Sequence, residues 1–241
     1  MFDMGTSMNK KFIVGFMPRT GSNALMSSLS AAGKSVCDGE PFWPAQRRKM
    51  NLIDNFQDHI GLTKKLFEKY DGFRILINQT NQLKEMCNEN NAGLILIRRN
   101  DYLATLASQI ILLAKNNVKH AQYHDGQLSP KSYETWTSTS KKMVYDPNNK
   151  MLVWLSEQIN QMLYANYLID NIFPAYSNYV TTVDYENPIH GLNDLEEYFG
   201  MKIPLILAPS RPLSDYFVNH EEFKSDIEYR IKNEINGVQH D

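Results

Sequence analysis

Short apolar runs alternate along this chain with longer segments in which apolar residues recur at helical spacing. The runs at 11–17, 73–77, 94–97 and 179–183 are short and rich in β-branched and aromatic residues, which predicts buried strands. A shorter strand-like piece lies at 35–37. Helical spacing predicts helices after residue 23, at about 55–70 and 81–91, from Asp101 to about 114, and at about 150–172, 192–199 and 220–235.

This alternation of strands and helices predicts the fold class. Buried strands that are separated by helices are typical of a parallel sheet with crossover helices on its faces. We therefore expect an α/β protein with three layers (α/β/α) and a mainly parallel central sheet of about four or five strands. The length of 241 residues fits a single domain over 1–241. From about 117 to 150 polar sequence replaces the pattern, and a loop of that length predicts a functional insertion.

Composition restricts the class of partner and the compartment. The formal net charge of −2 gives no overall positive field for nucleic acid or an anionic membrane, so an anion site must be local. Cys37 and Cys87, which are far apart, form no disulfide framework or zinc-ligand pattern. The start of the chain has no apolar signal core, and no apolar run approaches the ~20 residues of a membrane span. We expect a cytoplasmic protein with no membrane span and no nucleic-acid partner.

The loop after the first strand, at 16–23, has the composition of an anion site. A strand that ends in a Gly-containing loop and opens a helix points backbone N–H groups at a ligand, and Gly21 allows close approach. Arg19 adds a bidentate cation. Short polar donors complete the loop: Thr20, Ser22 and Asn23. The Walker A pattern of an ordinary ATP-dependent kinase is absent, since Ser22 stands where its Lys would be. The alternative is a plain strand-to-helix turn with a polar cap.

Two arginines follow the third strand. Arg98 and Arg99 come directly after the LILI run, and Ser108 lies about two turns into the next helix. A guanidinium and a hydroxyl could therefore converge on one phosphate at the carboxyl edge of the sheet. The alternative is that these arginines only cap the ends of the strand and the helix.

A carboxylate lies downstream of the first helix. Glu40 begins the sequence Glu-Pro-Phe-Trp and could accept a proton beside the loop. The alternative is a solvated turn residue. His120 and His124, in the polar segment, could act as the base instead, or they could be inert.

The run FIVGFMPRTGSNAL resembles the 5′-phosphosulfate loop of the sulfotransferases that use 3′-phosphoadenosine 5′-phosphosulfate (PAPS), above all the bacterial and phage enzymes. The resemblance implies a P-loop NTPase-like sulfotransferase fold in which residues 19–23 grip the phosphosulfate and Arg19 assists catalysis. An Arg after a strand with a Ser on the next helix resembles the family's 3′-phosphate site, which implies Arg99, or Arg98, with Ser108. The Glu-Pro-Phe stretch resembles that of carbohydrate-type members, in which this Glu is the general base, here Glu40.

Two later stretches carry the same resemblance. TVDYENPIHGLNDLEEYFGM, at 182–201, is similar to the family's strand, Tyr-Glu and short helix, which implies that Tyr185 lies beside the adenine. Ser-Arg-Pro at 210–212, together with 217–222, is similar to the piece that closes over the nucleotide, which implies Arg211 as a second ligand of the 3′-phosphate. The alternatives are strand-edge packing and a helix cap at Asn219.

The function implied by the resemblance is transfer of the sulfuryl group of PAPS, without a metal, to an acceptor hydroxyl. The acceptor would be a small molecule or a glycan, a carbohydrate or glycolipid in particular. Its binding is expected in the linkers that resemble nothing in the family, especially 43–72 and the insertion at 117–150. Trp136 and Trp154 are candidates for stacking on a sugar, although Trp154 lies on an apolar helix face that is typical of a core. Two other functions stay open: a nucleotide-dependent phosphotransferase, and a non-catalytic nucleotide-binding protein of the same fold.

Overall fold

The computed structural model describes residues 10–43, 58–115, 144–146, 151–206 and 212–238. The chain divides into two compact units. The first contains Met1–Asn100 and Ala165–Ala208, and the second contains Asp101–Tyr164 and Pro209–Asp241. The prediction of one domain over 1–241 stays a prediction. Of the insertion predicted at about 117–150, only 144–146 is described.

A parallel sheet forms the centre of the first unit. Its strands are β1 (Phe12–Phe16), β2 (Gly72–Leu76), β3 (Gly93–Arg98) and β4 (Val180–Asp184). They are hydrogen-bonded in the order β2-β1-β3-β4, and every pair is parallel. The predicted α/β class and the four main strands are confirmed. The strand-like piece at 35–37 forms a single bridge, between Val36 and Gly72.

Helices connect and cover these strands. Their bounds are α1 (Ser22–Ala31), α2 (His59–Phe67), α3 (Leu83–Glu89), α4 (Tyr102–Lys115), α5 (Met151–Asn171), α6 (Ile189–Phe199) and α7 (His220–Val238). Each lies where helical spacing predicts a helix, and α2 is shorter than the predicted 55–70. None of the helices in the described part of the chain has the length and apolar character to cross a membrane.

The layers of the first unit follow from alternation along the strands, since successive side chains of a strand point to opposite faces. Ile13 packs with α2, α3 and the C-terminal end of α5 on one face of the sheet. Phe12 and Val14 pack with α1 and α6 on the other face. Burial on both faces explains why the central strands β1 and β3 read as continuous apolar runs. The predicted three-layer arrangement is therefore confirmed for this unit.

The strand order creates a switch point between β1 and β3. The chain leaves β1 toward β2 on one side of the sheet, and it leaves β3 toward β4 on the other side. In open parallel sheets, ligands bind in the crevice at the carboxyl ends of the strands where the order reverses. The segments that follow β1 and β3 are 17–21 and 99–101, so this topology brings two predicted site segments to one edge.

The second unit has its own core, built from α4, the first part of α5, and α7. Trp154 is buried in it, as its apolar helix face indicates. Tyr145 is also buried there, and its backbone N–H and C=O are both bonded to the side chain of Asn219. The Tyr145 hydroxyl donates to Asp226, which also pairs with Arg230. These bonds anchor 144–146 at the start of α7.

Candidate functional site

The loop between β1 and α1 has an unusual backbone. The N–H and the hydroxyl of Thr20 both donate to the Met17 carbonyl, at 3.3 and 2.7 Å, which closes a tight turn. Arg19, at φ 64°, and Gly21, at φ 95°, are left-handed. A non-glycine residue in this region is uncommon, and such conformations concentrate at functional sites. Arg19 itself is exposed.

The same loop leaves the start of α1 open to an anion. Gly21 is the residue that precedes the helix, and no side chain caps the first N–H groups there. The first amides of a helix lack partners within the helix, and its N-terminus carries partial positive charge. Ser22 is buried at the first helical position, and Asn23 is exposed beside it. The geometry is therefore suited to a phosphate or sulfate group.

Arg99 joins the end of β3 to this loop. Its Nη1 donates to the carbonyl of Arg19 at 2.9 Å, and its side chain is buried. Its guanidinium carbon lies 4.5 Å from the centre of the Tyr185 ring, which is a cation–π distance. Its Nε lies 3.7 Å from the carboxylate of Glu186, which also accepts from the Asn100 N–H at 3.2 Å. Arg99 thus supports the left-handed turn at Arg19.

The structure separates the two arginines that the sequence leaves open. Arg98 is held by two carboxylates, with Nε and Nη2 donating to Asp184 at 2.6 and 3.1 Å and Nη1 donating to Asp170 at 2.7 Å. Arg99, in contrast, contacts the loop. Of the two, Arg99 is placed where it could serve an anion in the loop.

Tyr185 packs directly on Gly21. A Cβ atom built at Gly21 would lie 2.4 Å from Cδ2 of the Tyr185 ring, so only glycine fits there. A small, mostly apolar pocket opens beside this contact, between α1 and α6. It is lined by Thr20, Gly21, Leu25, Ser28, Ile97, Val183, Tyr185, Pro188, Leu192 and Leu205. Its free volume is about 10 Å³, no more than a single water occupies, so it is a narrow crevice beside the loop.

Glu40 lies on a short turn that the core fixes in place. The N–H of Trp43 donates to the Glu40 carbonyl at 2.9 Å, and Phe42 is buried against Phe73 with ring centres 5.5 Å apart. Burial lowers the pKa of the Arg74 guanidinium, and the nearby negative charges of Glu40 and Asp38 oppose that shift. The charge of Glu40 therefore acts on Arg74, and the contact between the two segments is the bond from Arg74 Nε to the Gly39 carbonyl at 3.1 Å.

Arg74 is the residue of this site that the sequence reasoning missed. It lies in the middle of β2, yet it donates to Gly39, Ser22 and Asn23, which places it between the Glu40 turn and the start of α1. The signal was a charged residue within the apolar run FRILI. A cation in a buried strand needs partners, so such a residue is a candidate for a site.

The remaining predicted residues are not brought to this place by the described structure. Ser108 lies on α4 in the second unit, whereas Arg99 belongs to the first, so their pairing stays a prediction. Arg211, His120, His124 and Trp136 lie outside the described residues.

The described structure thus gathers the loop 19–23, Arg99 and Tyr185 at one edge of the sheet, and it connects Glu40 to them through Arg74. No protein-family model matches the chain, and a search of curated proteins finds no match.

Proposed function

We propose that this protein is a PAPS-dependent sulfotransferase that transfers a sulfuryl group to an acceptor hydroxyl. The observation that carries the proposal is the convergence at the switch point of the sheet. There Arg99 donates to the Arg19 carbonyl at 2.9 Å, and Tyr185 packs on Gly21. Residues from three segments that resemble the sulfotransferase family therefore meet at the edge where open parallel sheets bind ligands.

The donor set around the loop supports an anionic nucleotide. Two guanidinium groups, those of Arg19 and Arg99, lie on the loop or in contact with it. Charge-assisted hydrogen bonds from Arg to phosphate or sulfate oxygens are among the stronger ones in proteins. The Tyr185 ring and the apolar side chains beside it offer a surface against which a purine could pack from outside. These residues fit a phosphosulfate that is attached to adenosine.

The proposed chemistry assigns one task to each group. Bound PAPS supplies an activated sulfuryl group, which the acceptor oxygen takes as the bond from sulfur to the nucleotide oxygen breaks. A carboxylate oxygen of Glu40 receives the proton of the acceptor hydroxyl. Arg19 and the loop amides stabilise the negative charge that develops on the leaving nucleotide oxygen. The products are the sulfated acceptor and 3′-phosphoadenosine 5′-phosphate, and no step requires a metal.

The acceptor class and the compartment are part of the proposal. The Arg-Thr-Gly-Ser-Asn and Glu-Pro-Phe sequences are similar to those of carbohydrate-type enzymes, which favours a carbohydrate or glycolipid hydroxyl. Both cysteines, Cys37 and Cys87, are free thiols, which is compatible with a reducing cytoplasm.

Ligand-dependent stability tests the proposal first. We expect 3′-phosphoadenosine 5′-phosphate to raise the thermal midpoint, because a ligand at ~100 times its Kd adds about 2.7 kcal/mol to stability. Arg19→Ala should abolish the shift. Lys232→Ala is the matched control, since it removes an exposed cation from α7 in the second unit and should leave the shift intact. A shift with ATP–Mg²⁺ alone would favour a phosphotransferase and contradict the proposal.

Turnover then separates an enzyme from a nucleotide-binding protein. With radiolabelled PAPS and a panel of carbohydrate and glycolipid acceptors, we expect a labelled acceptor from the wild type. Glu40→Gln should still bind the bisphosphate but transfer label at least ~100-fold more slowly, the usual scale of a general base. If Glu40→Gln transfers at the wild-type rate, Glu40 is not the base.

A further inference from the structure

Arg74 is a charged residue in β2, whose other four residues are glycine and apolar side chains. It lies opposite Val14 in the register of β1 and β2, and it is flanked on β2 by the buried Phe73 and Ile75. A charge in such a position is costly unless it is paired and hydrogen-bonded. Burial lowers the pKa of Arg74, and the carboxylates of Glu40 and Asp38 are the charges that counter this effect. The guanidinium therefore needs hydrogen-bond partners that offset the cost of its burial.

The hydrogen bonds of Arg74 reach two segments that are separate along the chain. Its Nε donates to the Gly39 carbonyl at 3.1 Å, one residue before Glu40. Its Nη1 donates to the Ser22 hydroxyl at 3.4 Å and to the side-chain oxygen of Asn23. One planar guanidinium thus ties the Glu40 turn to the first two residues of α1.

The guanidinium of Arg74 also contacts the aromatic ring of Phe16. Its central carbon lies 5.6 Å from the centre of the Phe16 ring, at the end of β1. Phe16 is buried, so this ring is a rigid support at the point where the loop begins. Arg74 is therefore held in place by β1 and β2, and its hydrogen bonds fix the Glu40 turn and the start of α1 relative to these strands.

We infer that Arg74 is a positioning residue that sets the distance between the Glu40 carboxylate and the anion loop at the start of α1. This inference rests on the proposed function, in which Glu40 takes a proton from the group that attacks the bound phosphosulfate. Misplacement of a catalytic group by about 1 Å can cost ~100-fold in rate. Arg74 would thus act on turnover through Glu40, and it would leave the loop's own grip on the nucleotide largely intact.

A double-mutant cycle tests whether Arg74 acts through Glu40. Arg74→Gln, Glu40→Gln and the double variant are compared with the wild type. The readouts are release of inorganic sulfate from PAPS, with water as the acceptor, and calorimetric binding of 3′-phosphoadenosine 5′-phosphate. We expect Arg74→Gln to lower kcat by about 10- to 100-fold, with KM and the bisphosphate Kd changed by less than about threefold. In the Glu40→Gln background, Arg74→Gln should cause almost no further loss, because residues that act as a unit are not additive.

Two further variants exclude a general loss of structure. Arg230→Gln removes another half-buried arginine that is paired with a carboxylate, in the second unit, and should leave kcat unchanged. Arg74→Lys keeps the charge but offers a single nitrogen, which cannot donate to Gly39 and Asn23 in the fork geometry of arginine. We expect Arg74→Lys to fold with a thermal midpoint near that of the wild type and to recover little of the lost kcat.

The outcomes distinguish a failure of the proposed function from a failure of the positioning role alone. If the wild type neither binds the bisphosphate nor cleaves PAPS, the proposed function fails, and this inference fails with it. If the wild type does both, but the losses in Arg74→Gln and Glu40→Gln multiply in the double variant, only the positioning role of Arg74 is overturned. The same holds if Arg74→Gln raises the bisphosphate Kd in proportion to its loss of kcat, or if Arg74→Lys restores full kcat.

Discussion

Gly21 and Gly33 form a matched pair for testing the geometry of the site. Both are left-handed, with φ values of 95° and 92°. An alanine at either position therefore meets the same backbone cost, about 1–2 kcal/mol. Their surroundings differ, because a Cβ at Gly21 would lie 2.4 and 2.6 Å from two carbons of the Tyr185 ring, whereas at Gly33 it would meet nothing within 4 Å. The difference between the two alanine variants isolates the contact with Tyr185.

The expected magnitudes follow from this contact. Overpacking of a tight site typically costs about 1–3 kcal/mol, so Gly21→Ala should lower the free energy of unfolding by about 2–5 kcal/mol in total. Gly33→Ala should lower it by about 1–2 kcal/mol. Urea denaturation of the two variants and the wild type measures both values. Since Tyr185 covers the loop, Gly21→Ala should also weaken binding of 3′-phosphoadenosine 5′-phosphate, and Gly33→Ala should not.

A third variant attributes the excess to Tyr185. Tyr185→Ala removes the ring, so it should cost less stability in the Gly21→Ala background than in the wild type. The contact between Tyr185 and Gly21 is refuted if Gly21→Ala and Gly33→Ala are equally destabilising and the effects of Gly21→Ala and Tyr185→Ala are additive. In that case Tyr185 does not pack on the loop, and the convergence that carries the proposed function is wrong.

Three further predictions concern charges and thiols. Arg98→Gln should lower the thermal midpoint, because Asp184 loses its bidentate partner, and it should leave the affinity for the bisphosphate unchanged. Arg99→Gln should lower that affinity by about tenfold or more in calorimetry. The reverse pattern would contradict the choice of Arg99 over Arg98 as the arginine that serves the loop. Burial raises the pKa of Cys37 to about 11 and that of Cys87 to about 12, so iodoacetamide should label both thiols slowly in the native protein at pH 8, and fast labelling in mass spectrometry would refute their burial. An unfolded thiol loses its proton near its ordinary pKa of 9.0, while the folded thiols hold theirs. The free energy of unfolding should therefore fall as pH rises from about 9 through 11, and urea curves with the same midpoint at pH 8 and pH 10 would contradict this.

Much of the fold could be predicted from local spacing. Strands β1 and β3 are buried on both faces, so their apolar runs stand out from the helical periods around them. Helix α2 was predicted too long, because its amphipathic spacing continues beyond the point where it ends, at Phe67. The piece at 35–37 has the composition of a strand but makes only one bridge, which depends on the position of Gly72, far along the chain.

The candidate site was only partly predictable, for a physical reason that separates its residues. The loop at 19–23 can be predicted from the sequence, because a Gly-containing turn between a strand and a helix is a local feature. The role of Arg74 cannot be predicted in this way, since nothing near it in the sequence indicates that Gly39 and Asn23 lie beside it. Local patterns record which face of an element is buried, and they carry little information about which distant element covers it.

Local sequence patterns are sufficient to predict an α/β protein with a Gly-containing loop between its first strand and first helix. The strand order β2-β1-β3-β4 comes from tertiary packing, and it makes β1 and β3 neighbours and so brings Arg99 to Arg19. The same order makes β4 the other neighbour of β3, so that Arg98 donates to Asp184 on β4. Strand order is set by the packing of segments that are far apart in the chain, so two adjacent arginines with the same local sequence signal take different partners.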